Sequence, residues 1–162
     1  MKRVVTCLYQ RDNHVLLLQK PKRGWWSCPG GKMEPAETIL ETVHREFREE
    51  TGLDVIAPQL RGVFTVVVSG PAEPPQEWMH FFFYARAASG QLVTESQEGK
   101  LAWHPVDQLH HLPMAEGDRL ILQHVLRHDQ LLVGRFHYTS DFQLLDYSLV
   151  EAEQPQYVPS SK

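Results

Sequence analysis

Three glutamates, Glu46, Glu49 and Glu50, lie close together in a segment whose apolar residues recur at helical spacing. At about 100° per residue, a helix places these carboxylates along one edge of its buried face. Alone they are badly placed, because like charges at i,i+3 and i,i+4 repel by about 0.2–0.5 kcal/mol per pair. Two interpretations are open. The carboxylates hold a hard divalent cation, which prefers oxygen ligands, or they form a solvated acidic helix end that pairs with Arg45 and Arg48.

The segment from residue 31 to residue 53 satisfies the pattern G-x5-E-x7-R-E-U-x-E-E-x-G-U, in which U is a bulky apolar residue. Its fixed positions are Gly31, Glu37, Arg45, Glu46, Phe47, Glu49, Glu50, Gly52 and Leu53. Nine constrained positions at fixed spacing are hard to meet by chance. The segment resembles a Nudix box, and this resemblance favours the metal site over the solvated helix end.

The resemblance implies roles for individual residues of the box. Glu46, Glu49 and Glu50 are expected to bind the metal together with a backbone carbonyl of the preceding turn, taken as that of Gly30. Arg45 is expected to orient or neutralise Glu49. The residues expected to keep the shape of the loop and the helix are Gly31, Glu37 and Gly52.

Glu98 is the main candidate for a metal-binding and catalytic residue outside the box. It lies five residues before Trp103, in the loop where MutT-like enzymes carry an additional metal-binding glutamate. The residue that activates water in this family need not lie in the box, so Glu98 is also a candidate for the general base. The alternative is an ordinary surface acid beside Glu95. The expected catalytic set is Arg45, Glu46, Glu49 and Glu98.

The composition fits one globular domain, since 42% of the 162 residues are hydrophobic and 22% are charged. The net charge of −4 gives no basic field for long nucleic acid. Apolar runs such as Val15 to Leu18 are too short to span a bilayer. Because Cys7 and Cys28 lack zinc spacing and no signal peptide is evident, a cytoplasmic protein is expected. Residues 1–150 are predicted to form the domain and 151–162 a poorly ordered tail.

Apolar and β-branched runs interleave with two helical segments. Strands are predicted over Arg3–Tyr9, His14–Lys20, Asp54–Val68, Trp78–Ala87, Leu101–Trp103, Leu131–Tyr138 and Phe142–Val150. The first helix is predicted to have Pro35 in its first turn and to end before Gly52, and the second to span Glu116–His128. This order predicts an α/β/α sandwich around a mixed β-sheet, the fold that the Nudix resemblance also implies.

The closing segments, Gly134–Tyr138 and Leu144–Leu149, resemble the hairpin of MutT-like enzymes that sanitise oxidised purine nucleoside triphosphates. The resemblance implies that Asp118 reads the purine edge. It implies a nucleotide site lined by Thr6, Lys20, Ser27, Gly31, Lys32, Phe64, Ala115 and Asp118.

Two positions depart from that pattern. Ala115 stands where those enzymes stack a tryptophan on the base, and Ser27 stands where they place an asparagine that reads it. Stacking on an aromatic face is a major source of base affinity. The candidates for a replacement platform are Trp25, Trp26 and Trp78.

His124 and His128 share a helical face at i,i+4. The sequence shows neither a third ligand nor an H-E-x-x-H arrangement, so surface histidines are favoured over a zinc site. The adjacent His110 and His111 indicate little.

The resemblance implies Mg²⁺-dependent hydrolysis of a nucleoside triphosphate to the monophosphate and pyrophosphate, with Mn²⁺ as a substitute and oxidised purines such as 8-oxo-dGTP as candidate substrates. One alternative is a Nudix hydrolase of a sugar nucleotide, a dinucleotide or an RNA 5′ end. Another is a non-catalytic Nudix-like regulator that binds a ligand, against which the retained glutamates argue. The expected partner is a small nucleotide substrate, and binding to a membrane or to long nucleic acid is not expected.

Overall fold

The computed structural model describes residues 1–71 and 74–152. Its strands are β1 (Lys2–Arg11), β2 (His14–Gln19), β3 (Trp26–Ser27), β4 (Gly30–Lys32), β5 (Leu53–Ile56), β6 (Gln59–Ser69), β7 (Gln76–Ala85), β8 (Ala87–Gly90), β9 (Glu95–Ser96), β10 (Gly99–Pro105), β11 (Leu131–Thr139) and β12 (Leu144–Ala152). Its helices are α1 (Ile39–Thr51) and α2 (Glu116–Val125), with a 3-10 helix over Val106–His111. The tail predicted over 151–162 lies outside the described residues, except that Glu151 and Ala152 end β12.

Ten strands form one mixed sheet in the order β12-β11-β6-β7-β1-β2-β10-β9, with β3 beside β2 and β4 beside β1. The pairs β1–β7 and β6–β11 are parallel, and the hairpins β6–β7 and β11–β12 are antiparallel. Strands β5 and β8 form a separate two-stranded antiparallel sheet.

Each face of the large sheet is covered by a helix. Successive side chains of a strand point to opposite faces, and along β1 this places Val5 in the cluster that contains Phe47 of α1. Leu8 points to the other face, in the cluster that contains Ile121 of α2. This arrangement confirms the predicted α/β/α sandwich around a mixed sheet.

Helix α1 begins later than predicted. Thr38 is its N-cap and forms a capping box with Glu41, in which each side chain accepts the backbone N–H of the other residue at 3.1 Å. Ala36 has a left-handed backbone with φ 69°, so the helix cannot extend back to Pro35. The predicted end is correct, because Gly52 caps the helix with φ 80°.

The segment predicted as one strand over Asp54–Val68 is divided into β5 and β6. Ala57 has φ 51°, and Pro58 lacks the N–H that a sheet ladder needs. The predicted strand Trp78–Ala87 is likewise divided between β7 and β8. The hairpin predicted between the two segments is confirmed as β6–β7.

The second helix is shorter than predicted, since α2 ends at Val125. A turn follows it, in which the N–H of His128 still donates to the carbonyl of His124 at 2.9 Å. Within residues 1–71 and 74–152, neither helix combines the length and the apolar character that crossing a membrane requires.

Candidate active site

The segment that leads towards α1 passes so close to β1 that Gly30 leaves no room for a side chain. A Cβ on Gly30 would collide with the backbone of Val5 and Thr6 on β1, and a Cβ on Gly31 would collide with the carboxylate of Glu46. Pairing of β4 with β1 holds Gly30 opposite Thr6. The backbone of this segment therefore lies against the carboxylate edge of α1.

Arg45 binds several carboxylates at once. Its Nε donates to Glu37 at 2.6 Å, and its Nη1 donates to Glu46 at 2.8 Å and to Glu49 at 3.3 Å. Its Nη2 also donates to the carbonyl of Lys32 at 3.1 Å. The hydrogen bond from Arg45 is the main cause that lowers the pKa of Glu37 to about 2. Arg45 thus neutralises part of the acidic cluster and ties α1 to the loop before it.

Glu50 is the buried carboxylate of the cluster. It is 5% exposed, and its Oε2 accepts the N–H of Gly30 at 2.9 Å. Burial raises the pKa of Glu50 to about 7, opposed by the Gly30 hydrogen bond and by Lys20, while the charges of Glu46 and Glu98 add to the rise. A buried carboxylate is costly unless a cation compensates it. These oxygen donors therefore fit a hard divalent cation.

Glu98 lies in the turn between β9 and β10 and lines the same cleft as Glu46 and Glu50. Its charge contributes to the raised pKa of Glu50. Glu95 lies on β9, three residues before Glu98. It is exposed and is not among the residues that line the cleft. Glu98 therefore belongs with the acidic cluster.

The cleft has a volume of about 780 Å³. It brings together most of the residues expected at the metal and the nucleotide: Thr6, Lys20, Ser27, Gly30, Gly31, Lys32, Glu46, Glu50, Glu98, Ala115 and Asp118. Segments far apart in sequence thus meet in one concave site.

Some expected residues lie outside the lining of the cleft. Phe64 is fully buried and packs on Phe136 with ring centroids 5.4 Å apart, so the structure does not bring it to the nucleotide site. Glu49 is 58% exposed and is held by Arg45. Arg48, a possible partner of the acidic helix end, instead bonds Asp54 at 2.7 and 2.9 Å.

The sequence interpretation missed several cations of the cleft, namely Lys2, Lys22 and Arg23. Burial lowers the pKa of Lys2, and the charges of Lys32 and Lys20 lower it further, so these lysines concentrate positive charge. The alternation of β1 gives a signal for Lys2, because it shares a face with Thr6.

His80 is a second residue that the sequence interpretation missed. It lines the cleft, and its Nε2 lies 2.8 Å from Oγ1 of Thr6. Burial lowers the pKa of His80 to about 4, so the imidazole is neutral at pH 7. The pair therefore adds neutral hydrogen-bonding groups to the cleft.

Another polar group of the cleft surrounds Asp118. Burial raises the pKa of Asp118 to about 6, against the opposing charge of Lys20. The hydroxyl of Tyr138 accepts the N–H of Gly117 at 2.9 Å. Among the described residues, Ser27 Oγ is buried without a hydrogen-bond partner. These groups can pair with the polar edge of a ligand.

Trp25, Trp78 and Phe142 line the cleft and form what we call the aromatic wall. The ring centroid of Phe142 lies 6.4 Å from that of Trp25 and 6.3 Å from that of Trp78. The guanidinium of Arg23 lies 5.0 Å from the Trp25 centroid. Trp26 also borders the cleft, but it is 8% exposed and packs on His104.

Comparisons with known proteins agree on the family. The NUDIX domain family model matches residues 1–125. The chain is 49% identical over 158 residues to the uncharacterized Nudix hydrolase YvcI of Bacillus subtilis, with 98% of each chain covered. Its sequence is 51% identical to that of the Mutator MutT protein from Bacillus halodurans. The crystal structure of that protein matches this one with a TM-score of 0.88, over 92% of this chain and 97% of that one.

A more distant relative is the human 8-oxo-dGDP phosphatase NUDT18. It is 36% identical over 109 residues, which are 63% of this chain and 31% of that protein. Nudix hydrolases generally use a divalent metal, and the acidic cluster around Glu50 offers oxygen ligands for one. The family match over most of the chain, the fold and this cluster agree, and the chain belongs to the Nudix hydrolase family.

Proposed function

We propose that this Nudix hydrolase cleaves a nucleoside triphosphate between the α and β phosphates, with Mg²⁺ as its metal. The observation that carries the proposal is one cleft in which three features occur together. They are the acidic cluster (Glu46, Glu50 and Glu98), a lysine cluster (Lys2, Lys20, Lys22 and Lys32) and the aromatic wall. The first suits a divalent cation, the second suits phosphate oxygens and the third suits a planar base. A nucleotide carries all three complementary features.

The carboxylates of the cleft have two proposed roles in hydrolysis, metal binding and activation of water. A divalent ion, when bound, would offset the charge of the phosphoryl oxygens and would lower the pKa of a bound water. Glu46 and Glu50, with Glu49 at the edge of the cleft, are the proposed carboxylate ligands, beside the Gly30 carbonyl. Glu98 is the proposed base that accepts the proton of the attacking water.

Several side chains position these groups and the substrate. Arg45 donates to Glu46 and Glu49, so it holds both carboxylates at fixed places. Lys20 and Lys32 bind phosphate oxygens, as the concentration of positive charge on this side of the cleft supports.

The aromatic wall is the proposed platform for the base. It takes the place of the stacking tryptophan of the MutT-like enzymes, where this chain has Ala115. Phe142 contacts Trp25 edge-on at 81° and Trp78 at a tilt of 40°. A base that stacks on one of these rings would gain about 1–3 kcal/mol. Asp118 and Ser27 are the proposed groups that bind the polar edge of the base. The name of the NUDT18 relative supports an oxidised guanine as one candidate base.

A second candidate substrate is the corresponding nucleoside diphosphate. The specific observation that favours it is again the NUDT18 relative, which is named an 8-oxo-dGDP phosphatase. The same cleft residues would bind either substrate. The free, buried thiols of Cys7 and Cys28 support a reducing, cytoplasmic setting for both.

The proposal is tested with a panel of purine and pyrimidine nucleoside triphosphates and diphosphates, including their 8-oxoguanine forms, in Mg²⁺ or Mn²⁺. Orthophosphate and pyrophosphate are measured separately. The expected products of a triphosphate are the monophosphate and pyrophosphate in equal amounts. Release of orthophosphate from triphosphates would refute the proposed bond, and a preference for diphosphates would favour the second candidate.

A further inference from the structure

The structure brings the carboxylate of Glu151 close to His124 and His128, for which the sequence shows no third ligand. Glu151 of β12 lies beside the end of α2, and its Oε1 is 3.7 Å from Nε2 of His124. The two imidazole rings stack with centroids 4.8 Å apart and an interplanar angle of 30°. One ligand atom from each of the three residues lies within 4.8 Å of the others.

A second, independent observation concerns Nε2 of His124. This nitrogen is buried and has no hydrogen-bond partner in the described part of the chain, which is costly for a polar atom. The 3.7 Å separation from Glu151 exceeds hydrogen-bond range. An ion bound between the two atoms would satisfy Nε2 and the carboxylate together.

The chemistry of the three donors selects the class of ion. Two imidazoles and one carboxylate suit Zn²⁺ and neighbouring transition metals, whereas Mg²⁺ prefers oxygen alone.

The spacing is close to that of a bound site. Ligands about 2.0–2.1 Å from a tetrahedral Zn²⁺ lie roughly 3.4 Å from one another, so His124 and Glu151 need little movement. His128 is exposed and follows the last turn of α2, so its side chain can rotate inwards. The N–H of His128 donates to the carbonyl of His124 at 2.9 Å, so the turn after α2 keeps the two residues on the same side of the chain.

We propose that His124, His128 and Glu151 form a transition-metal site of the Zn²⁺ class, separate from the catalytic cluster, that clamps the end of α2 to strand β12. The fourth position remains for water. Asp118, at the start of α2, lines the cleft, and the six residues from there to His124 span about 9 Å of helix. Metal binding would thus stabilise the helix that carries a residue of the nucleotide site.

The test uses the full chain with Mg²⁺ in excess, so that the catalytic carboxylates are occupied. Co²⁺ is titrated as a probe, because tetrahedral nitrogen ligation gives strong visible absorption and octahedral oxygen ligation does not. One equivalent is expected to give this absorption. Zn²⁺ at about a hundred times its Kd is expected to raise the Tm by about 5–11 °C.

His124→Gln and Glu151→Gln are expected to abolish both the absorption and the Tm shift. His128→Gln changes an exposed side chain, so it keeps the folded protein available if His124→Gln fails to fold. The matched control is the double variant His110→Gln and His111→Gln, which removes two close histidine rings that lack a third ligand among the described residues. The control is expected to keep both signals.

Three results would overturn the proposal. The first is no Co²⁺ absorption under excess Mg²⁺. The second is absorption that survives in His128→Gln and Glu151→Gln, and the third is loss of both signals in the His110 and His111 control. A lower Tm of metal-free Glu151→Gln without any metal effect would assign the pair of His124 and Glu151 to a structural contact alone.

Discussion

Replacing Glu50 with glutamine is expected to stabilise the metal-free protein at high pH. The folded-state pKa of about 7 exceeds the ordinary value of 4.5 by about 2.5. At about 1.36 kcal/mol per pKa unit, the ionised Glu50 costs about 3 kcal/mol of folding free energy when no metal is bound. Glutamine is uncharged and keeps an oxygen that accepts the Gly30 N–H.

The sign follows from the raised pKa. The contribution of Glu50 to stability is fully present below pH 4.5 and is lost as the pH rises through about 7. In EDTA, Glu50→Gln should therefore match the wild type near pH 4.5 and exceed its Tm by about 6–12 °C at pH 8, given about 2–4 °C per kcal/mol.

Thermal melts by circular dichroism in EDTA, at pH values from 4.5 to 8, measure this difference. Glu95→Gln is the control, because this substitution removes the same charge from an exposed position. Saturating Mg²⁺ should reverse the order, because a ligand that binds the native state stabilises it. Two results would refute the claim that ionised Glu50 destabilises the metal-free protein. One is an equal Tm difference at both ends of the pH range, and the other is a wild type that stays more stable than Glu50→Gln in EDTA.

Three further outcomes are expected from enzyme kinetics. Glu98→Gln should lower kcat by about a hundredfold, the scale of a lost general base, whereas Glu95→Gln should not; equal kcat values would remove Glu98 from the mechanism. Asp118→Asn should change the preference among purines more than the kcat of the best one, and equal losses on pyrimidines would indicate a folding role. Trp25→Leu should raise KM about 5- to 150-fold, which corresponds to the loss of one stacking contact of about 1–3 kcal/mol, with little effect on kcat. Tyr147→Leu, whose side chain is not among those that line the cleft, should leave KM unchanged.

The box could be predicted from the sequence because its signals are local. Helical spacing and a fixed motif determine where Glu46 and Glu50 lie on α1, and strand alternation determines the core. Pro58 is a local signal for the break between β5 and β6, whereas the left-handed backbone of Ala57 leaves no clear local pattern in the sequence.

The remaining parts of the site depend on contacts between distant segments. Phe142 reaches Trp78 only because the closing hairpin and β7 border the same cleft. Glu151 meets His124 only because β12 runs beside α2. Phe64 was expected at the nucleotide from resemblance, but its strand position points it into the core.

The most direct test of the central claim is the kcat of Glu50→Gln at saturating Mg²⁺ and saturating nucleotide, beside the wild type and Glu95→Gln. If the acidic cluster is the metal-dependent catalytic centre, Glu50→Gln lowers kcat by at least about a hundredfold, and Glu95→Gln keeps wild-type kcat. A folded Glu50→Gln variant with near wild-type kcat would contradict the account.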